Sequence, residues 1–470
     1  MKKQEPVPAA EGSAAGASQN DFSQGSVTGA IFRMAIPITL AQLVNVAYNL
    51  VDRMYIGRIP AAGALALTGL GLCLPVISIV TAFSRLCGAG GAPLVSIERG
   101  KRNLDRAEQI MGNAFGLLLF FGVLLTLIGE IFLEPILYAF GASAETYGYA
   151  HDYAFIYLLG NLFVLISLGM NNFINAQGFS RFGMLTVILG AVINIILDPI
   201  LIFACDLGVK GAAIATVIAQ GCSTAWVLWF LTGKRAILKL RLKYLLPRWE
   251  ITKQILGLGL ATFVFSLTNS LVQVVSNRML LAWGGDVYVG VMTVVNSIRE
   301  VMMLPCSGIG GGTEPVMGFN YGAKRYDRVR KCILVMSLSA VIYNVVTWSL
   351  LMLFPAPLIR VFTNDTGILN AGVPSLRIYY LCYFMMALQQ AGQSSFVGLG
   401  KAKQAVTFSL LRKVVLVTPL MLLLPGLGLG VQGVFWSEPI ADVLGSTACF
   451  ITMILTVWRP MKKLEKEELA

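Results

Sequence analysis

The chain has 470 residues, of which 56% are hydrophobic and only 13% charged, with a net charge of +12 and a mean hydropathy of +0.73. A soluble globular protein carries about 25% charged residues, so this composition excludes a soluble enzyme or binding module. A single polytopic membrane bundle fits it.

Residues 1–27 are rich in Ala, Ser, Gly, Gln and Glu, and no apolar stretch follows Lys2 and Lys3. They are expected to form a disordered cytoplasmic tail rather than a cleaved signal peptide. Apolar stretches of about 20 residues then predict twelve spans. They cover 29–57, 64–87, 105–131, 147–175, 180–204, 211–232, 253–283, 287–312, 329–354, 374–397, 404–424 and 431–457. A basic segment, 233–252, divides an N-terminal lobe (28–232) from a C-terminal lobe (253–457), and 458–470 is a short charged cytoplasmic tail.

Counting both tails, alternate connections hold 25 Lys and Arg residues, whereas the opposite ones hold only Arg58, Lys210 and Arg360. The bias places both termini in the cytoplasm. The net positive charge is thus a topology signal, and nucleic-acid binding is a poor reading of it.

Two acids lie inside these stretches. Asp52 in AYNLVDRMYIG and Asp198 in VINIILDPILIF each stand about six residues before the end of an apolar run. At the helical rise this is a shared depth of about 9 Å. A charge at mid-bilayer costs roughly 2.5–3.5 kcal/mol, so such acids face a protein interior or a water path. Neutral readings remain: Asp52 pairing with a nearby base, and Asp198 capping a break at Pro199.

The chain also repeats itself. Gly90, Pro93, Gly100, Asp105 and Arg106 return 222 residues later as Gly312, Pro315, Gly322, Asp327 and Arg328. Gly208 and Gly211 return as Gly430 and Gly433. Six spans per half means both halves cross the membrane in the same sense, the parallel-repeat plan. The repeat fails where the acids are: Asp52 aligns with Asn277, and Asp198 with Thr418.

Three segments together resemble the multidrug and toxic compound extrusion (MATE) transporters: NLVDRMYIG, AQGFSRFGMLTVILGAVINIILDPILI and EPVMGFNYGAKRYDRVRK. The resemblance runs from Ile31 to about Val457. It implies an antiporter in the plasma membrane of a bacterium that expels amphipathic, often cationic organic compounds in exchange for inward Na⁺ or H⁺. It needs no other cofactor and is expected to be a monomer in the lipid bilayer. The family's N-lobe ion site carries over to Asp52, Asn194, Asp198 and Thr216, with Tyr153 and Asn171 as polar positions of the same lobe. The residues agree with this: Asn194 and Asp198 share a helical face, and Thr216 lies at the acids' depth. Carboxylate, amide and hydroxyl oxygens suit a small hard cation, and paired acids also suit a proton.

The C-terminal lobe lacks the acids on the seventh and tenth spans that NorM-type members carry, so the chain looks closer to the MepA-like branch. Glu300 is either a substrate or proton group or a neutraliser of Arg412 or Lys413. Glu438 and Asp442 lie four apart on one face. Met386, Gln389, Gln390 and Gln393 fall on one stripe that suits varied ligands. Gln273 and Asn277, with Asn269, form a polar face. Helix-to-helix hydrogen bonds are the equal alternative for these amides.

Other features carry little. The eight cysteines show no metal or disulfide spacing, and CSGIGGGTEP lacks the GK[ST] of a phosphate loop. No loop holds the acid cluster a membrane transferase needs. The rival reading is a lipid-linked saccharide flippase of the same superfamily, which would use cleft cations such as Arg53, Arg85, Arg278, Arg299, Arg377, Arg412 and Lys413.

Overall fold

The computed structural model describes residues 21–60 and 63–469, with side chains through Glu467. Ten helices are long and apolar enough to cross a membrane, and two bent pairs raise the number to twelve. The spans are Val27–Ile56, Gly63–Gly100, Leu104–Ile131, Tyr147–Leu159 with Asn161–Ala176, Ser180–Ala204 and Gly208–Thr232 in the first half. The second half has Trp249–Gly284, Asp286–Gly322, Tyr326–Leu353, Thr366–Tyr379 with Tyr383–Gly398, Ala402–Leu423 and Gln432–Glu467. The fourth span bends by 56° at Gly160 and the tenth by 43°. Among the described residues there is no strand.

The second and eighth spans run well past their expected ends at 87 and 312, to Gly100 and Gly322. The apolar runs thin out there into glycines, prolines and charged residues. The helices instead pass through Pro75 and Pro93, and through Pro305 and Pro315. Neighbouring helices can re-satisfy the backbone that proline frees. The small residues serve close packing. The tail expected from 458 is also helical, as Arg459–Leu469.

The expected disordered tail, 1–27, lies largely outside the described residues, but 21–26 is packed. Phe22 is 1% exposed, its ring 5.7 Å from that of Phe319 and within 5.9 Å of the Arg99 guanidinium. Arg328 donates to the carbonyls of Phe22, Gln24 and Gly25, and Asn320 donates to Phe22 O at 3.1 Å.

The segment after the sixth span is docked rather than loose. Asn113 of the third span donates to Tyr244 O at 2.9 Å and accepts from Arg248 N at 2.6 Å. Gln177 accepts from Leu238 N, and Glu108 accepts from Lys239 N and pairs with Arg241 at 2.7 Å.

The halves meet only toward the end that carries the basic connections. The first span straddles them. It lies along the fifth span, from the Ser180–Arg33 contact to Asp52 beside Asp198, while Val27, Ala30, Ile31 and Met34 join a core with Val316, Met336 and Phe396. The second span packs on the seventh and eighth, and the first on the eighth.

Candidate ion-coupling site

The first, fifth and sixth spans bring Asp52, Asn194, Asp198 and Thr216 together, all buried, with Asp198 fully so. Asn194 donates through Nδ2 to Asp198 Oδ1 and to Thr216 Oγ1, both at 3.3 Å. The Asp52 and Asp198 carboxyls are within hydrogen-bonding reach of each other. Two carboxylates in contact need a shared proton or a cation between them. Asp52 Oδ1, Asn194 Oδ1 and Asp198 Oδ2 are buried with no hydrogen-bond partner. Buried oxygens left this way are costly, and all three are acceptors, which a hard cation satisfies.

The simpler roles do not hold. Asp198 caps no break, because the helix continues through Pro199 into a wide π turn, Ile200–Ala204. Asp52 makes no ion pair among the described residues: Arg53 acts on it only as a neighbouring charge, and its hydrogen-bonding neighbour is Asp198.

Asn194 and Thr216 also line a cavity of about 30 Å³ beside the site. That is room for one or two waters. Asn45, Tyr48, Asn171, Thr186, Gln220 and Ser223 complete it as a polar track between spans. Asn171 donates to Gly183 O at 3.2 Å while its Oδ1 is unpartnered. Tyr153 hydrogen-bonds Thr216 from the other side. Tyr48, Asn45 and Gln220 were not picked out from the sequence. Their signal was helical spacing from Asp52 and Thr216, which ordinary interior amides also show.

In the C-terminal half the acids and bases form one buried network. Glu438 Oε1 accepts from Arg299 at 3.0 Å, Arg412 at 2.7 Å and Lys413 at 3.0 Å. Arg412 also binds Asp442 at 2.6 Å, and Arg299 donates to Tyr379 Oη at 2.7 Å. A π-helical stretch, Leu411–Val417, brings Arg412 and Lys413 to the same acids. Glu300 plays no part in neutralising them. It is exposed and has no partner among the described residues.

The expected stripe on the tenth span does not form a surface. Met386 and Gln389 are buried. Gln390 donates to Ser394, and Gln393 ties the span to the eleventh through Ala405 O and Ser409 Oγ, each 3.0 Å away. The helix-to-helix alternative accounts for Gln393. Gln273 is exposed and Asn277 half-buried on the seventh span.

The MatE family model matches residues 37–200 and again 261–423, one copy in each half and together more than half of the chain. The chain belongs to the MatE family. The multidrug export protein MepA of Staphylococcus saprophyticus is 24% identical over 450 residues, covering 95% of this chain and 98% of that protein. A solved MATE structure in the bent conformation superposes with a TM-score of 0.88 at 24% identity, over 97% of this chain and 99% of that one. A second, the outward-facing conformation of a multidrug resistance MATE transporter, gives 0.86 at 24% identity, over 96% and 99%. The double match in this MatE protein fits the internal repeat. Its two copies differ where the first half carries Asp52 and Asp198, which align with Asn277 and Thr418.

Proposed function

We propose that this MatE protein is a secondary antiporter of a bacterial plasma membrane, exporting amphipathic organic compounds, often cationic, against inward Na⁺ or H⁺. The observation that carries this is the trio of unpartnered oxygens on Asp52, Asn194 and Asp198. They surround two touching carboxyls in the interior of one half. A cation or a proton resolves that arrangement, and no other described side chain of the first half does.

The excess of basic residues on one set of connections sets both termini in the cytoplasm. The halves close against each other at that end, so the cleft opens outward. Ion occupancy at Asp52 and Asp198 and substrate occupancy of the cleft then favour different arrangements, and the coupling is reciprocal. One inward charge supplies about 2.3 kcal/mol per 100 mV. A flippase is less well supported, because three of the seven cations it would use, Arg299, Arg412 and Lys413, are engaged by Glu438 and Asp442.

The test is dye transport in proteoliposomes under an imposed Na⁺ or pH gradient. Transport driven by one gradient, and lost in Asp198→Asn, is expected and names the ion. Full transport by Asp198→Asn would falsify the assignment.

A further inference from the structure

Arg85 has no role in the ion site, and its surroundings are unusual for a cation. It lies on the second span with its side chain exposed, between Ser84 and Leu86, which are buried against neighbouring helices. A residue that is both surrounded and accessible lines a concave space. Its helix neighbours locate that space. Ser84 donates to Leu165 O and Gly88 packs on Gly169, both on the fourth span. Phe83 meets Phe263, and the Leu86 carbonyl meets Gly259, both on the seventh span. Ser96, on Arg85's own face eleven residues further along, touches Gly318 of the eighth span. Three turns from that contact Arg85 is exposed on the same face, flanked by the contacts that Phe83 and Leu86 make with the other half.

Among the described residues Arg85 has no hydrogen-bond or ion-pair partner, and no acidic side chain stands close to it. By contrast Arg299, on the eighth span, reaches Glu438 and Tyr379. Even there the balance is positive, with Arg299, Arg412 and Lys413 against Glu438 and Asp442. An uncompensated guanidinium at membrane depth is expensive and is a functional-site signal by default. Its planar fork matches a carboxylate or a phosphate.

We propose that Arg85 receives the anionic group of an organic substrate in the outward-open cleft. This rests on the efflux reading and deepens it: compounds carrying a carboxylate or a phosphate join those exported, and an anion leaving as a cation enters makes exchange strongly voltage-dependent.

The experiment uses purified full-length protein in nanodiscs of zwitterionic lipid. Binding of carboxyfluorescein and of ethidium is followed by fluorescence anisotropy for wild type, Arg85→Lys and Arg85→Gln. The expected result is that the wild type binds carboxyfluorescein. The ratio of its affinity to that for ethidium should fall about tenfold or more in Arg85→Gln and less in Arg85→Lys. A second readout needs no variant: carboxyfluorescein, but not ethidium, should protect Arg85 of the wild type from phenylglyoxal, read by peptide mass spectrometry. A wild type that does not bind the anionic dye, or an unprotected Arg85, overturns the proposal. Protection by phosphatidylglycerol or by inorganic phosphate without carboxyfluorescein binding also overturns it, assigning the site to a lipid headgroup or to a free ion. Gradient-driven ethidium transport separates the two claims. Transport without anion binding sinks only this inference, and anion binding without transport sinks only efflux.

Discussion

Gly100 of the second span and Gly322 of the eighth are two-fold partners at the closed end of the protein. A Cβ on Gly100 would stand 1.9 Å from the Phe319 carbonyl oxygen, and one on Gly322 would stand 1.9 Å from that of Ile97. Ile97 and Phe319 are themselves 222 residues apart, so the pair of contacts obeys the internal repeat. The axis relating the halves passes between these crossings.

The same closeness recurs one layer further in, where Cβ atoms on Gly90 and Gly259 would meet the carbonyls of Ile255 and Leu86 at 2.2 and 1.8 Å. Gly259→Leu therefore cannot keep this packing, and overpacking of this kind costs about 1–3 kcal/mol. The variant should favour an arrangement with the basic end parted. Labelling of a cysteine introduced near Gly90 by a membrane-impermeant maleimide from the cytoplasmic side should rise several-fold. Unchanged labelling would show that the contact does not govern closure.

Asp52 and Asp198 share a contact that needs a proton when no cation is present. Adding Na⁺ to the purified protein should release about one proton per bound ion, read with a pH indicator in weak buffer. Asp198→Asn should release none. Binding of Na⁺ with no proton release would mean that both acids are already ionised.

Glu438 holds three cations through one oxygen. Glu438→Gln leaves them buried without their hub, and breaking a buried ion pair costs roughly 3–5 kcal/mol. Thermal unfolding in detergent should fall accordingly, and adding Lys413→Met should recover part of the loss. Additive destabilisation by the two changes would argue that Lys413 and Glu438 are energetically independent.

Phe22 fastens the N-terminal segment to the eighth span. Phe22→Ala removes a side chain that is 1% exposed, for a cost on the order of 3 kcal/mol. Faster proteolysis near residue 21 is the expected consequence, with Arg328→Ala giving the same result because it frees the three carbonyls that Arg328 holds. Proteolysis at the wild-type rate in both variants would remove the fastening role.

Span number, the two-fold repeat and the sidedness of the basic residues could be read from the sequence because each depends on composition along the chain. That Asp52, Asn194, Asp198 and Thr216 come together was legible for a related reason. Asn194 and Asp198 sit four apart on one helix, and an acid in an apolar run stands out wherever it folds. Helix length at Gly100 and Gly322 was not legible, since glycine and proline mark a loop unless another helix lies against them. The tenth-span stripe of Met386, Gln389, Gln390 and Gln393 failed similarly: helical spacing says which residues share a face, not what the face meets.

The sequence by itself determined a twelve-span membrane protein with a duplicated plan and the Asp52 and Asp198 pair confined to one half, because hydropathy, charge bias and repetition are one-dimensional signals. Only the tertiary structure decided which charges neutralise one another. Glu438 and Asp442 take up Arg299, Arg412 and Lys413, Glu300 stays apart, and Arg85 is left without a partner. Pairing between charges depends on distances of a few ångströms between spans far apart in the chain, and electrostatic interaction falls off with just that separation.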